Sequence, residues 1–390
     1  MSASSLTGGD IARGLDGALR NDWPIRRSSE IFELRYGKAL VASVRRAGDV
    51  PVYGTNGQTG THDERLFTGP GVIVGRKGAG HLGVHWSDKD FWVIDTAYSL
   101  VPSEDVDLRF AYYLVKYVGL NHLKHGTSNP SLTRDAFGHQ YFPVPPRPEQ
   151  RAIAATLGAL DDKIESNRRA IDYAQRIAAS VFQSWRKEAP VKETTTFGAY
   201  TEVFGGSTPK TSVPNYWGGE LAWTTPTDVT GLESPYLFAT SRTITEAGLQ
   251  SCTTLMHPAG TIFMTSRATI GAFAINQIPA ATNQGFIAVR PRREDDRWFL
   301  FEEMRSRVEE FIYNANGSTF LEISRGSFKE LPLNVPHPDA IAQLDRSLEP
   351  LHAKASQLEM EAQRLTALRD TLLPELLTGR IHVPVEEHTA

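Results

Sequence analysis

A chain of 390 residues is long for one domain and fits two or three at about 150 residues each. Hydrophobic residues at 40% and charged residues at 22% are ordinary for a globular protein, and no apolar run approaches the roughly 18 residues of a spanning helix, which excludes a disordered chain and a helical membrane protein. The net charge of -4, from 41 Lys and Arg against 45 Asp and Glu, excludes a protein that coats nucleic acid through bulk charge but leaves room for local basic patches.

In chain order, residues 1–26 read as a helical lead-in around Ile11, Leu15 and Leu19. No basic stretch followed by an apolar core precedes it, so no signal peptide is expected and the cytoplasm is the expected compartment. Residues 27–147 read as a globular α+β unit. Its strand and turn signals are Val52-Tyr53 before Asn56-Gly57, and Gly69-Pro70-Gly71 before Val72-Ile73-Val74, and a helix follows over Leu108–Tyr117. Residues 148–190 then carry apolar positions in steps of three and four, at Ile153, Leu157, Leu160, Ile164, Asn167, Ile171, Ala174, Ala178, Val181 and Trp185, which is a coiled-coil seam.

Residues 191–337 form a second globular unit, with a helix expected over Arg297–Ile312. Residues 338–380 repeat the seam at Ile341, Leu344, Leu348, Leu351, Ala355, Leu358, Ala362 and Leu365. Gly158 and Pro350 predict a break after a short first helix in each spacer, and Pro374 with Gly379 closes the second before a loose tail, 381–390. The single cysteine, Cys252, reads as a buried small residue.

The second half repeats the first. Gly126, Leu132, Thr133, Arg134, Phe137, Val144 and Pro145 recur 191 positions later as Gly317, Ile323, Ser324, Arg325, Phe328, Val335 and Pro336. Earlier landmarks recur at 188 or 189: Gly71 with Gly260, Gly83 with Gly271, Tyr98 with Phe286, Arg109 with Arg297. The expected architecture is therefore α+β, with two duplicated globular domains separated by a pair of long antiparallel coiled-coil helices in a pseudo-twofold arrangement. The segment before the central strands is roughly 20 residues longer in the second copy.

No catalytic constellation accompanies this frame. An amino-directed DNA methyltransferase needs an Asn-Pro-Pro-aromatic or Asp-Pro-Pro-aromatic loop, and Asn129-Pro130-Ser131 lacks the second proline. Phe204-Gly205-Gly206-Ser207 does not match a dinucleotide fingerprint, and there is no phosphate-binding Gly-Lys-Ser/Thr loop. His81 with His85, and His122 with His125, have metal-compatible spacing but no accompanying ligands, so no metal site is expected.

The chain resembles the specificity subunits of type I restriction-modification systems. The resemblance rests on Trp23-Pro24, Tyr36-Gly37-Lys38-Ala39-Leu40, Val52-Tyr53-Gly54-Thr55-Asn56-Gly57, Gly75-Arg76-Lys77-Gly78 and Pro148-Glu149-Gln150-Arg151 in the first half. In the second it rests on Gly206-Ser207-Thr208-Pro209-Lys210, Tyr216-Trp217-Gly218-Gly219, Thr282-Asn283-Gln284-Gly285-Phe286 and Leu372-Leu373-Pro374-Glu375-Leu376-Leu377-Thr378-Gly379. It implies two target-recognition domains, each reading half of a split site on double-stranded DNA. It also implies two modification subunits that methylate adenine with S-adenosylmethionine, and restriction subunits that use ATP and Mg. The chain itself would be non-catalytic and without a cofactor, and the helices Pro148–Lys187 and Pro338–Leu373 would bind the partners. The alternative from another class is a two-domain scaffold or carbohydrate-binding protein with Tyr216 and Trp217 as platforms.

Residues 27–147 carry 14 Lys and Arg against 12 Asp and Glu, and residues 191–337 carry 12 against 15, so weak DNA binding by the chain alone is expected. Residues shared by the copies, Arg134 and Arg325, read as framework or phosphate contacts, because they cannot make two half-sites differ. Base readers belong where the copies diverge, at Arg76, Lys77 and His81 against Thr265, Ser266 and Arg267, with Asn56, Gln58, Asn129 and Thr225 as further candidates. The ordinary alternative for each is a solvated loop side chain.

Overall fold

The computed structural model describes Leu15, residues 23–317 and residues 321–384. The lead-in helix expected around Ile11 and Leu19, and the end of the tail, lie outside the described residues. The chain divides into two compact units, one of residues up to 163 together with those from 365 onward, the other of residues 164–364. Among the described residues no helix is long and apolar enough to cross a membrane.

In the first unit, strands run in the order β2 (Phe32–Tyr36), β8 (Ala97–Pro102), β5 (Gly71–Gly75) and β6 (Val84–Ser87), all neighbours antiparallel. A second sheet holds the hairpin β3 (Val50–Gly54) and β4 (Gly57–His62), with β7 (Trp92–Val93) parallel to β3. β1 (Ile25–Arg27) pairs with β11 (Tyr141–Pro143), bracketing the domain, and the short helix α1 (Ser28–Ile31) follows β1. Strand alternation puts Val72, Val74, Tyr98 and Leu100 on one face, where they share a core with helix α2 (Leu108–Val118). Asp107 caps that helix, accepting from the amides of Arg109 and Phe110. A small ribbon, β9 (Lys124–His125) and β10 (Ser131–Leu132), leads to α3 (Arg134–Gly138), and α4 (Arg147–Glu188) follows.

The second unit repeats this topology. β13 (Glu202–Gly205), β20 (Phe286–Arg290), β17 (Ile262–Thr265) and β18 (Phe273–Asn276) follow the same order, and β15 (Tyr236–Leu237) adds a fifth strand. β14 (Trp217–Thr224) pairs antiparallel with β16 (Arg242–Ile244) and parallel with β19 (Ala280–Thr282), as β3 does with β4 and β7. β12 (Val191–Thr196) pairs with β21 (Pro332–Pro336). The helices α5 (Phe197–Tyr200), α8 (Asp296–Ser306) and α10 (Arg325–Glu330) take the places of α1, α2 and α3. The longer segment of this copy folds as α6 (Pro226–Thr230), β15, β16 and α7 (Glu246–Gln250).

Register refines the repeat by one residue. Val72 pairs with Leu100 in the first unit and Ile262 with Val289 in the second, and both pairs face the helix-covered core. Tyr98 therefore corresponds to Ile287 rather than Phe286, because a one-residue shift in a strand would turn core side chains outward.

Both long helices are continuous, contrary to the breaks expected at Gly158 and Pro350: α4 has 42 residues, and α11 (Pro338–Leu377) has 40. Gly158 serves packing instead. A Cβ there would lie 2.9 Å from the Arg109 guanidinium, which bonds to the Gly158 carbonyl and to Asp162. Pro350 lies on the exposed side of α11, where water can take the carbonyl it leaves unpaired. The last helix also runs through Pro374 and ends at Leu377, and Gly379, with a φ of 70°, lets the chain turn away.

Within the second unit the helices run antiparallel: buried Asn167 donates to the Leu358 carbonyl at 3.4 Å and to Glu361 at 2.9 Å. Ile171, Ala178 and Phe182 share a core there with Ile341, Leu344, Leu348, Ala355 and Leu358. Phe182 thus takes a buried place that the seam pattern gave to Val181 and Trp185, both half-buried. In the first unit Asp161 accepts from Arg369 at 2.7 Å and from Tyr113 at 2.8 Å, and Ile153 and Leu157 share a core with Leu376 and Leu377.

The helix expected over Arg297–Ile312 is two, α8 and α9 (Val308–Tyr313). Arg307 breaks it, with φ -116° and ψ 17°, while its guanidinium reaches the Pro332 carbonyl, Glu303 and Glu310. Cys252 is half-buried rather than buried.

Candidate nucleic-acid interface

In the first unit β5 ends at Gly75, and the chain leaves the sheet as residues 76–82 before returning at Gly83, whose carbonyl accepts from the Gly75 amide. This loop is fixed by its backbone. The Arg76 amide donates to Thr96, the Arg76 carbonyl accepts from Leu132, and the Gly78 amide donates to Pro130. Thr55 Oγ1 lies 2.7 Å from the Lys77 carbonyl and 2.6 Å from that of Thr96. Lys124 Nζ donates to the Gly80 carbonyl at 2.7 Å. With the backbone tied down, side chains at the loop can be presented in defined positions.

Arg76 and Lys77 are half-buried. Arg76 Nη1 donates to the Asp95 carbonyl at 3.0 Å, and its guanidinium carbon sits 4.8 Å from the Tyr36 ring centre and 5.5 Å from that of Tyr98. Lys77 Nζ is 3.4 Å from the Asp95 carboxylate. Arg134, the first residue of α3, lies 4.1 Å over the Tyr36 ring. Tyr98 donates to the Leu132 carbonyl, and burial pushes its hydroxyl pKa up to about 12, so it stays a neutral donor.

The structure therefore brings Arg76 and Arg134 together over Tyr36, with Lys77 beside Arg76 in the loop against Asp95. Asn129 precedes the Pro130 anchor and is exposed, as is Asn56 beside Thr55. Gln58 is exposed on β4, where it donates to the Gly60 carbonyl, and His81 is exposed against Asn121. Sequence reasoning did not single out Lys124, or Tyr36 as a site residue. The signal for Tyr36 was available only by pairing strand ends between the copies.

The second unit has the same skeleton. The Ser266 amide donates to Gly285, its carbonyl accepts from Ile323, and the Ala268 amide donates to Leu321. Arg267 bridges Glu322 as Lys77 bridges Ser131. Arg76 thus corresponds to Ser266, Lys77 to Arg267 and Gly78 to Ala268. Thr265 and Ser266 are buried, and Thr265 Oγ1 accepts from the Ala272 amide, so neither hydroxyl is presented outward. Thr225 caps α6, exchanging hydrogen bonds with Asp228, which commits its side chain locally.

Arg267 remains 51% exposed, 3.8 Å from Glu322. Arg325 is exposed at the start of α10 beside Gly205, and among the described residues no hydrogen bond or ion pair engages it. Tyr216 and Trp217 do not form an open platform. Both are half-buried, and Arg242 covers the Trp217 ring at 3.7 Å.

The profile of the type I restriction modification DNA specificity domain matches residues 20–173 and again residues 193–361. The chain belongs to this family. The MjaIX type I restriction enzyme specificity subunit of Methanocaldococcus jannaschii is 38% identical over 140 residues, 35% of this chain and 32% of that protein. The HindI specificity subunit of Haemophilus influenzae is 22% identical over 183 residues, 46% of this chain and 39% of that one. The matched stretches thus span about a third of the length of these relatives. The crystal structure of the type I restriction-modification S subunit from M. genitalium shares the fold, with a TM-score of 0.65 at 20% identity, covering 92% of this chain and 97% of that one. In this family member no group of three or more His, Cys, Asp or Glu is arranged to hold a metal among the described residues.

Proposed function

We propose that the chain is the sequence-reading subunit of a type I restriction-modification complex, each globular domain recognising one half of a bipartite site on duplex DNA. The observation that carries this reading is one backbone frame occurring twice with different side chains at matching loop positions, Arg76 against Ser266 and Lys77 against Arg267. A duplicated scaffold with divergent donors suits two different half-sites. Asn56, Asn129, His81 and Gln58 border the first such surface; Arg134 and Arg325 supply phosphate contacts or framework.

The chain would carry no cofactor. S-adenosylmethionine belongs on two modification subunits, and ATP and Mg on restriction subunits. Partners would dock on the long helices, where Tyr173 and Ile177, one turn apart on α4, stay exposed. Near-neutral domains make the chain dependent on those partners for grip on the phosphate backbone.

The test is to map methylated adenines in cells carrying the chain with its modification subunits. A bipartite motif that disappears when the chain is deleted supports the proposal. Methylation unchanged by the deletion, or methyl transfer by the purified chain alone, overturns it. A saturated complex holding only one modification subunit by mass would overturn the paired docking.

A further inference from the structure

The two domains differ at one position beside the recognition loop. Tyr36 ends β2 and faces Tyr98 across the strand pair, while Gly205 ends β13 and faces Ile287. Leu34 with Leu100 corresponds to Val203 with Val289, so Tyr36 and Gly205 occupy the same place in the frame. The Tyr36 ring is 49% exposed, yet it carries two guanidinium groups, Arg134 at 4.1 Å and Arg76 at 4.8 Å. Arg325, which occupies the Arg134 place, has no ring beneath it among the described residues.

We propose that Tyr36 is a specificity-determining positioning residue of the first domain: its ring fixes Arg76 and Arg134 so that their planar donor forks meet the DNA in set orientations. This rests on the DNA-reading proposal above. The physics is direct. An aromatic face attracts a guanidinium and leaves its N–H edges free, and a donor fork already held loses little freedom on binding. The Arg76 Nη1 bond to the Asp95 carbonyl fixes one corner of the fork further. The second domain has glycine at this place and no tyrosine ring to hold its arginine there, so the two half-sites are read by different means.

The test uses the full chain in complex with its modification subunits, a labelled duplex bearing the site mapped by adenine methylation, and competitors altered one base pair at a time. Tyr36→Phe keeps the ring and is expected to keep affinity and every mismatch penalty. Tyr36→Leu keeps apolar bulk without the aromatic face. It is expected to bind the cognate duplex about 3- to 30-fold more weakly and to flatten mismatch penalties in one half-site while leaving the other unchanged. Arg76→Lys, which keeps the charge but loses the planar fork that the ring holds, is expected to flatten the same half-site, and it decides the matter if Tyr36→Leu fails to fold.

Unchanged penalties in both half-sites, equal weakening on every duplex, or a Tyr36→Phe variant as defective as Tyr36→Leu would overturn the proposal. A wild-type complex that prefers no duplex would instead overturn the DNA-reading function itself, and this inference with it.

Discussion

Helices α2 and α8 hold the same place in the two domains and are built differently. Helix α2 buries Phe110, Ala111, Tyr112, Tyr113, Leu114 and Val115 and no carboxylate. Helix α8 buries Trp298, Phe299, Leu300, Phe301 and Met304 together with Asp296, Glu302 and Glu303. Burial raises the pKa of all three acids, and nearby cations oppose the rise: Arg305 at Glu302, Arg186 and Arg307 at Glu303, Arg293 at Asp296, which also bonds to Tyr200. His352, stacked on Trp298 at 3.7 Å, is kept neutral by burial, its pKa falling to about 3. One frame thus tolerates either an apolar filling or a compensated polar one. The difference lies in what happens when a single partner is removed.

The strongest way to break this comparison is at Arg307, whose side chain is 10% exposed. Arg307→Ala is expected to lower stability by about 3 kcal/mol, because Glu303 is left buried with only Arg186. Replacing both partners by apolar residues, Glu303→Leu with Arg307→Met, is expected to recover all but about 1 kcal/mol, bringing α8 close to the manner of α2. Urea unfolding of both variants checks this. A single variant as stable as its parent would mean that the ion pair has no role.

The recognition loops differ next. Arg267→Ala is expected to weaken cognate binding by about 1 to 3 kcal/mol, with penalties lost at one base pair, if its fork grips a base edge. If it holds a phosphate instead, all sequences weaken alike and the salt slope falls by about one unit. Arg76→Ala should change the other half-site. Effects of both variants on the same half-site would contradict the assignment of one half-site to each domain.

Acid sensitivity should also be unequal. His257 is fully buried in the second domain, with neither ring nitrogen hydrogen-bonded among the described residues, and burial, then Arg290, lowers its pKa to about 4. A histidine with a lowered folded pKa is neutral when folded, so its contribution to stability is lost as pH falls from about 6.5 toward 4. The slope is about 1.4 kcal/mol per pH unit. His257→Phe is expected to remove its own share of that slope, leaving the share from His352, and to gain about 1 kcal/mol at pH 7.5. Unfolding midpoints at pH 5 and 7.5 measure both effects.

The loops also differ at Gly78 and Ala268, which correspond. Ala268 holds a φ of 62°, a left-handed conformation that strains any residue with a Cβ. Ala268→Gly is expected to stabilise the second domain by up to about 1 kcal/mol. Gly78→Ala, at φ 134°, is expected to destabilise the first by more than that.

The repeat was legible because its framework is apolar and local: Leu132 and Ile323, Phe137 and Phe328, and Val144 and Val335 are buried pairs at a constant offset. The seam was legible for the same reason, down to buried Asn167. Hidden features depended on distant partners. Gly158 looked like a breaker because Arg109, which fills the space beside it, is 49 residues away. The interruption at Arg307 comes from contacts to Glu303 and Pro332, and strand register slipped where glycines matched without a face to fix them. Thr225 and Ser266 have the chemistry of readers, but a cap and a core occupy them.

The first unit is not made of consecutive chain. Its core includes Leu376 and Leu377, which follow residues 164–364 of the other unit. A ribosome building this protein finishes every residue of the second unit before it reaches the strip that completes the first. Domains fold as they emerge only when their own parts are present. The unit begun earlier is therefore finished later, its apolar face waiting for the closing turns of α11 while some two hundred residues pass between.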